Sequence, residues 1–264
     1  QDISSWNVSS ATNMDGMFWE AVELNQDLSS WCVSNIDSEP TRFAETTAML
    51  VDNLPVWGQC GEIYLDDNGI TIKARDNAVV GESYKLTNDG DSYKVVDETI
   101  LREMVADDED VTLAVTTRVT DLSLLFNLNE TFNQDIGSWD TSNNTSLFAT
   151  FAYTQQFNQD LTYWHTSSVS NMESTFIGAA AFNGDISTWD VSNVTNLIFT
   201  FDSAISFNGD ISNWNVSNVS TMQALFANSN FNQSISNWNV SSVTTMESMF
   251  NNAGSFNQSL NDWN

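Results

Sequence analysis

Cationic side chains are scarce in this 264-residue sequence. It has seven Lys and Arg against 35 Asp and Glu, a formal net charge of −28, and residues 132–264 contain no Lys or Arg. Such a surface cannot neutralise phosphate groups, which excludes nucleic-acid binding and disfavours anionic membrane surfaces. The partners that remain are cations, sugars and proteins.

Long apolar runs and catalytic constellations are also missing. No apolar stretch approaches the roughly 20 residues of a membrane-spanning helix. The single histidine, His165, follows Trp164 where other copies of the same phrase have Asn or Asp, so we interpret it as a surface variant. The acids follow the repeat rather than depart from it, although a glycosidase-type carboxylate pair stays an alternative. We therefore predict that the protein is not an enzyme.

One phrase of about 25 residues recurs along the chain. Phe-Asn pairs begin at positions 132, 157, 182, 207, 231 and 256, and Trp follows at 139, 164, 189, 214, 238 and 263, with earlier copies at 6 and 31. A second Phe occurs at 151, 176, 201, 226 and 250. A fixed period in this range is typical of solenoids and propellers, and this one has the length of a leucine-rich repeat.

Each repeat has two halves with different patterns. The half WDVSNVTNL alternates β-branched and polar residues, which favours a short strand or an extended turn. The half MESTFIGAA places Met, Phe and Ala at helical spacing, which favours a short helix or a 3-10 turn. One repeat cannot bury its own apolar face, so we predict a leucine-rich-repeat-like solenoid with short parallel strands about 4.8 Å apart and a small α+β cap.

The repeat resembles that of the BspA-like leucine-rich-repeat surface proteins of bacteria, FNQDISxWDVSNVTxMxxMFxxA. Copies at 1–25, 182–206, 207–230 and 231–255 follow this pattern, and the resemblance covers about 1–43 and 115–264. It implies an extracellular, surface-anchored protein of Bacteroidetes type, used for attachment and exported by the dedicated type IX secretion system. It implies no catalytic residues. Thr150, Thr175 and Thr200 stand where the family has Met, and we expect a looser core there.

The repeat is interrupted in the first half of the chain, which predicts three segments. Residues 1–60 are interpreted as the end and cap of one array, 61–114 as the α+β cap of the next, and 115–264 as a second array. In 61–96 the runs IYL, ITIKA, SYKL and SYKVV, separated by turns at DDNG and NDGD, predict an antiparallel sheet. Residues 97–107 predict a helix with Asp97 as N-cap and Ile100, Leu101, Met104 and Val105 on its buried face.

The ends of the sequence and its two cysteines suggest a longer exported protein. The chain begins and stops inside the repeated phrase, so we expect a piece of a longer tandem-repeat protein. Cys32 and Cys60 follow Trp31 and the out-of-phase Trp57, a spacing that favours a disulfide holding the cap in place. Two buried free thiols are the alternative.

Two columns of repeated side chains are candidate sites. Asp135, Asp160, Asp185 and Asp210 share one repeat position, where adjacent carboxylates would repel. They are expected to accept turn N–H groups, and the alternatives are full solvation or bridging by Ca²⁺. Trp139, Trp164, Trp189, Trp214 and Trp238 are predicted to form a core ladder, with an aromatic platform for sugars as the alternative.

The sequence thus predicts a structural or adhesive segment of a large cell-surface protein. The alternative is a glycan- or protein-binding module whose solenoid face is the recognition surface. No cofactor is required under either hypothesis, although Ca²⁺ stays a candidate. The expected partners are neighbouring repeats of the same long chain, and surface glycans or proteins.

Overall fold

In this computed structural model the chain forms two compact units, unit 1 (residues 1–95) and unit 2 (residues 96–264). The structure describes residues 2–58, 60–86 and 91–263. The boundary between the units lies inside the predicted cap 61–114, and the three-segment division stays a prediction. In the described part of the chain, no helix has the length and apolarity needed to cross a membrane.

Unit 1 combines repeats with two antiparallel hairpins. A 3-10 turn at Val51–Asn53 precedes strands β1 (Ile63–Leu65) and β2 (Ile72–Ala74), which pair with Tyr64 opposite Lys73. Strands β3 (Ser83–Tyr84) and β4 (Tyr93–Val95) pair with Tyr84 opposite Tyr93. All four strands lie within the predicted strand runs. Gly69, at φ +72°, closes the DDNG turn, whereas the predicted NDGD turn lies largely outside the described residues.

The repeats of unit 1 stack on one another and carry the disulfide. The main-chain N–H of Phe18 donates to the oxygen of Phe43, 25 residues on, at 2.9 Å. The core of these repeats consists of Ile3, Met14, Leu28, Trp31, Val33, Ile36 and Phe43. Cys32 and Cys60 form a disulfide, as the sequence predicts, and it ties the second repeat to the segment that leads into β1.

Unit 2 begins with helix α1 (Glu98–Ala106) and the two-residue strand β5 (Ala114–Val115). Asp97 caps the helix, because its Oδ1 accepts a hydrogen bond of 2.9 Å from the N–H of Ile100. Leu101 and Met104 are buried, and Ile100 and Val105 pack against the same core. The helix, its cap and its buried face therefore agree with the prediction.

Successive repeats of unit 2 are joined by parallel main-chain bridges. The bridges link equivalent positions of five consecutive repeats: Ser146, Asn171, Asn196, Thr221 and Thr245. The predicted strand in each repeat is thus reduced to a single paired residue. We infer from this stacking that residues 115–263 form a solenoid of the leucine-rich-repeat class.

Of the two structures predicted for the second half of each repeat, a short helix or a 3-10 turn, the helix does not form. In its place the main chain makes a series of turns, which we call the turn ribbon: residues 122–128, 147–153, 172–178, 197–203, 222–228 and 246–252. Between Leu147 and Tyr153, alternate N–H groups donate to carbonyl groups of the next repeat, for example Ala149 to Glu173 at 2.9 Å. Of the N–H groups between them, those of Thr150 and Ala152 donate three residues back at 3.2 and 3.3 Å, whereas an α-helix bonds four residues back. The N–H of Phe148 donates to Oγ of Ser146 at 3.2 Å.

The sequence pattern is misleading here because the turns repeat every four residues. Residues at positive φ recur at that spacing, as at Ala149 (+50°) and Tyr153 (+59°), or at Ser174 (+58°) and Gly178 (+63°). Each positive φ ends any helical run. The apolar side chains nevertheless recur about every four residues, which resembles the 3.6-residue period of a helix.

Columns of aromatic rings fill the core of unit 2. Neighbouring rings of the second Phe column stack at 5.2 to 5.8 Å from Phe151 to Phe226. Thr150, Thr175 and Thr200 do not loosen this core. They are fully buried, and their hydroxyls donate to main-chain oxygens 28 residues earlier at 3.0 to 3.1 Å. These hydrogen bonds between repeats satisfy a polar group that would otherwise be costly to bury.

Candidate functional site: the turn ribbon of unit 2

The acidic column makes turns. Oδ1 of Asp135, Asp185 and Asp210 accepts the N–H two residues further on at 2.9 to 3.0 Å, and Oδ1 of Asp160 accepts the N–H of Asp185 at 2.9 Å. Hydrogen bonds from the N–H and hydroxyl of Ser187 lower the pKa of Asp185 below its ordinary value. Each carboxylate of the column thus has a main-chain N–H donor, three of them in turns and that of Asp160 in the next repeat. Within the described ranges, no group of three or more His, Cys, Asp or Glu could hold a metal ion.

The tryptophan column is inaccessible to a ligand. Trp139, Trp164, Trp189, Trp214 and Trp238 are at most 3% exposed, and neighbouring rings stack at 6.2 to 6.5 Å. Each indole N–H donates to a main-chain oxygen of the preceding repeat, for example Trp164 to Ile136 at 3.0 Å. These side chains therefore stabilise the stack and offer no face to a sugar.

The turn ribbon is the part of unit 2 where a regular backbone carries changing side chains. One position is apolar in each repeat and packs into the core: Leu122, Leu147, Met172, Leu197, Met222 and Met246. The next position differs in chemistry from repeat to repeat: Ser123, Phe148, Glu173, Ile198, Gln223 and Glu247. Packing does not require this variation, because these side chains are half-buried or exposed. A fixed scaffold with variable exposed residues is the arrangement expected of a binding surface.

One end of the ribbon is apolar. Leu124, Leu128 and Tyr153 are 48%, 64% and 43% exposed, and Phe148 is half-buried beside them, since the N–H of Leu124 donates to its oxygen at 2.8 Å. We call these four residues the apolar end of the ribbon. Isolated exposed apolar side chains are ordinary, but a cluster of them indicates a contact surface.

Three residues of the apolar end also have an unusual backbone conformation. Leu124, Leu128 and Tyr153 lie at φ +62°, +63° and +59°, a region unfavourable for residues other than glycine. The later repeats place Gly178, Ser203, Asn228 and Asn252 at the position of Leu128 and Tyr153. Folding therefore does not call for an exposed Leu or Tyr there, and Leu128 in particular carries a backbone cost while most of its side chain stays exposed.

The ring of Tyr153 lies against Gly178 of the next repeat. A Cβ added to Gly178 would lie 2.5 Å from Cδ1 of Tyr153, so the ring occupies the space that a side chain at 178 would need. The amide of Gln155 donates to the oxygen of Gly178 at 3.0 Å and holds the adjoining chain in place. The glycine thus lets an aromatic ring cover the ribbon surface.

The remaining ribbon is acidic and polar. Glu173, Asp202 and Glu247 lie on it, and the first two accept hydrogen bonds of 2.8 Å from Asn196 and Asn228. Since residues 132–264 contain no Lys or Arg, these charges are not offset by cations of the same repeats. The surface therefore offers apolar contacts at one end and negative charge along its length.

From the sequence, turns are favoured for the Asp column and core for the Trp column, with calcium and sugar binding as the alternatives. The Asp and Trp columns attracted attention because they recur, and recurrence here reflects turns and core. The signal for the ribbon was the opposite one, namely positions that change between otherwise similar repeats.

Comparison with known proteins gives one match. A family model described as "Mycoplasma protein of unknown function, DUF285" matches residues 1–57, 98–197 and 182–264. It is a repeat family associated with BspA-like surface proteins. No curated protein and no solved structure matches the chain.

Proposed function

We propose that this chain, which belongs to the DUF285 family, is an adhesive segment of a large bacterial surface protein, with the turn ribbon of unit 2 as its contact surface. The description of that family assigns no function. The observation that carries this proposal is the apolar end of the ribbon. There, exposed Leu and Tyr residues persist at positive φ although other repeats use Gly, Ser or Asn.

The proposal includes an extracellular location. The Cys32–Cys60 disulfide supports it, because disulfides persist in oxidising compartments. A Bacteroidetes-type origin, surface anchoring and export by type IX secretion are the further parts of the proposal that rest on the resemblance of the repeat. Neighbouring repeats of a longer chain would then carry the segment away from the cell.

The chemistry of the ribbon favours a protein partner. Apolar side chains at Leu128 and Tyr153 would pack against apolar groups of the partner, and Glu173 and Asp202 would attract its Lys and Arg residues. Charge complementarity of this kind raises association rates and excludes partners of like charge. A strongly acidic partner is therefore not expected.

A retention assay tests the proposal. Beads carrying the 264-residue chain are applied to an epithelial cell layer under flow and compared with beads carrying the double variant Leu128→Asn/Tyr153→Ser. Both replacements use residues found at the same position in later repeats, so the fold is expected to persist. We expect at least a fivefold loss of retention for the double variant and none for Ser168→Asn, which changes an exposed residue away from the ribbon.

A spacer role is the second candidate. The unbroken series of hydrogen bonds between repeats supports it, since a stiff stack suits a segment that only extends other domains. A spacer would give equal, background-level retention for the native chain, the double variant and the control. That result would remove the adhesive role of the ribbon.

A further inference from the structure

Unit 1 contains a cavity that neither the repeat pattern nor the proposed adhesive role explains. Its volume is about 310 Å³. One wall is the loop 4–9 of the first repeat with Ser30 and Cys32 of the second, and the other is the hairpin of β1 and β2 with Leu86. The volume is at the lower end of the range for small-molecule sites, enough for one small ring rather than a long chain.

Aromatic groups border the cavity on both walls. Trp6 is 47% exposed, unlike Trp31, which is 2% exposed and lies parallel to it at 6.5 Å. Tyr64 lies on the opposite wall, and the guanidinium of Arg75 stacks over its ring at 4.2 Å. Each of the two rings thus packs against another planar group, Trp6 on Trp31 and Tyr64 on Arg75.

Short polar groups lie between the aromatic ones. Ser4, Ser5, Ser9, Ser30, Asn7 and Asp67 are among the residues that line the cavity. Oδ1 of Asn7 accepts from the N–H and the hydroxyl of Ser9 at 3.2 and 2.7 Å, which fixes the orientation of the amide. Hydroxyl, amide and carboxylate groups together can both donate to and accept from a ligand rich in hydroxyls.

The charges around the cavity are close to balance, although the whole chain is strongly acidic. Asp66 forms an ion pair of 2.8 Å with Lys73, and Arg75 lies on the same wall as Asp67. The two carboxylates are therefore matched by two cations. A balanced site favours an uncharged ligand, and the net charge of −28 further disfavours an anionic one.

We propose that this cavity binds a single uncharged sugar ring, which stacks its C–H face on Trp6 and bonds its hydroxyls to Asn7, Asp67 and the serines. Aromatic faces combined with short polar side chains suit a molecule that is apolar on one face and hydroxylated at its edge. The proposal is independent of the turn ribbon, because every residue of the cavity belongs to unit 1.

Ligand-observed NMR and calorimetry on the 264-residue chain test the site. The probes are glucose, galactose, mannose and N-acetylglucosamine, with glucuronic acid and glucose 6-phosphate as anionic comparisons. We expect saturable binding of at least one neutral sugar and at least tenfold weaker binding of both anions. Binding should also shift the tryptophan fluorescence, because Trp6 is half exposed.

Two tryptophans of similar exposure give a matched pair of variants. Trp6→Ala should weaken binding at least tenfold, whereas Trp19→Ala, which removes a side chain 49% exposed outside the cavity, should change it less than twofold. Because Trp6 also stacks on Trp31, Asp67→Ala is the second variant: this exposed carboxylate can be removed without touching the core, and a loss of about fivefold is expected. Absence of binding by all four neutral sugars, equal binding of the anions, or full binding by Trp6→Ala and Asp67→Ala would each overturn the proposal.

Discussion

The indole Nε1 of Trp189 donates a hydrogen bond of 3.0 Å to the main-chain oxygen of Leu161, 28 residues earlier. The same bond recurs from repeat to repeat, including Trp31 to Ile3 in unit 1 and Trp139 to Val111 in unit 2. The Trp of each repeat therefore joins two repeats in two ways, through ring stacking and through one buried polar contact.

Replacing Trp189 with Phe keeps an aromatic ring and removes this hydrogen bond. The oxygen of Leu161 then loses one of its two hydrogen bonds and keeps the one from the N–H of Trp164 at 3.1 Å, while the smaller ring leaves a void. We expect the free energy of unfolding to fall by about 2 to 4 kcal/mol. Urea denaturation measures the change, and Trp19→Phe, at a site 49% exposed, is the control expected to stay within about 0.5 kcal/mol. Equal stability of both variants would contradict a structural role for the indole N–H.

Asn144 is a polar residue at a core position. It is 1% exposed, and its Oδ1 accepts the N–H of Ser146 at 3.2 Å, whereas among the described residues its Nδ2 has no hydrogen-bond partner. Neighbouring repeats have Val at this position: Val119, Val169, Val194 and Val219. We expect Asn144→Val to raise the free energy of unfolding by about 1 to 2 kcal/mol, because it removes an unsatisfied buried donor. The reverse change, Val169→Asn, should lower it by a similar or larger amount. A destabilising Asn144→Val would show that the hydrogen bond to Ser146 outweighs the cost of the unpaired Nδ2.

A variant of Leu128 can separate the stability of the chain from its proposed adhesion. Its φ of +63° suits Gly or Asn better than Leu, and its side chain is 64% exposed. Leu128→Gly should therefore raise the free energy of unfolding by about 0.5 to 1 kcal/mol while it removes part of the apolar end of the ribbon. Thermal unfolding and bead retention, measured on the same variant, should move in opposite directions. A loss of stability would mean that the side chain contributes to packing.

Some of these features could be predicted from the sequence, and the reason differs from case to case. The pair Phe-Asn recurs because Oδ1 of Asn183 accepts the N–H of Asn208 at 2.8 Å, as Asn158 does for Asn183, so each copy depends on the next. Residues that bond to their equivalents in neighbouring repeats must recur, and this recurrence is visible in the sequence. Backbone φ is not visible, since Ala149 and Leu124 share a positive φ with Ser174 although no glycine marks it.

The cavity of unit 1 could not be predicted from the sequence, for a different reason. Trp6 and Tyr64 are distant in sequence and belong to different patterns, a repeat and a hairpin. The Cys32–Cys60 disulfide holds the start of the hairpin near the second repeat, and only this tertiary arrangement brings the two rings to one space. The sequence period reveals contacts between equivalent positions of the repeats, whereas the cavity brings together Trp6 of a repeat and Tyr64 of a hairpin.

Calcium should leave the stability of the chain unchanged. The carboxylates of Asp135, Asp185 and Asp210 already accept main-chain N–H groups, so their column does not need an ion to be stable. We expect the same melting temperature in millimolar CaCl₂ and in excess chelator. A melting temperature that rises with CaCl₂ and reaches a plateau would indicate a ligand that binds only the folded state, and it would restore the calcium hypothesis.

Acid should weaken the stack through the same carboxylates. Hydrogen bonds from Ser187 and Ser212 lower the pKa of Asp185 and Asp210 in the folded protein below the value of about 3.9 expected in the unfolded chain. The folded state thus holds these protons more weakly, so the stabilisation is complete above about pH 4 and disappears as the pH falls through the folded-state pKa. Urea midpoints measured between pH 2 and 6 should fall over that window. Protonation of the other acids relieves repulsion in native and variant chains alike, so the double variant Asp185→Asn/Asp210→Asn isolates the effect. We expect the urea midpoint of this double variant to fall less steeply with decreasing pH than that of the native chain. The control Asn193→Ser should keep the native pH dependence. The same pH dependence for all three proteins would mean that these turns do not depend on the charge of the aspartates.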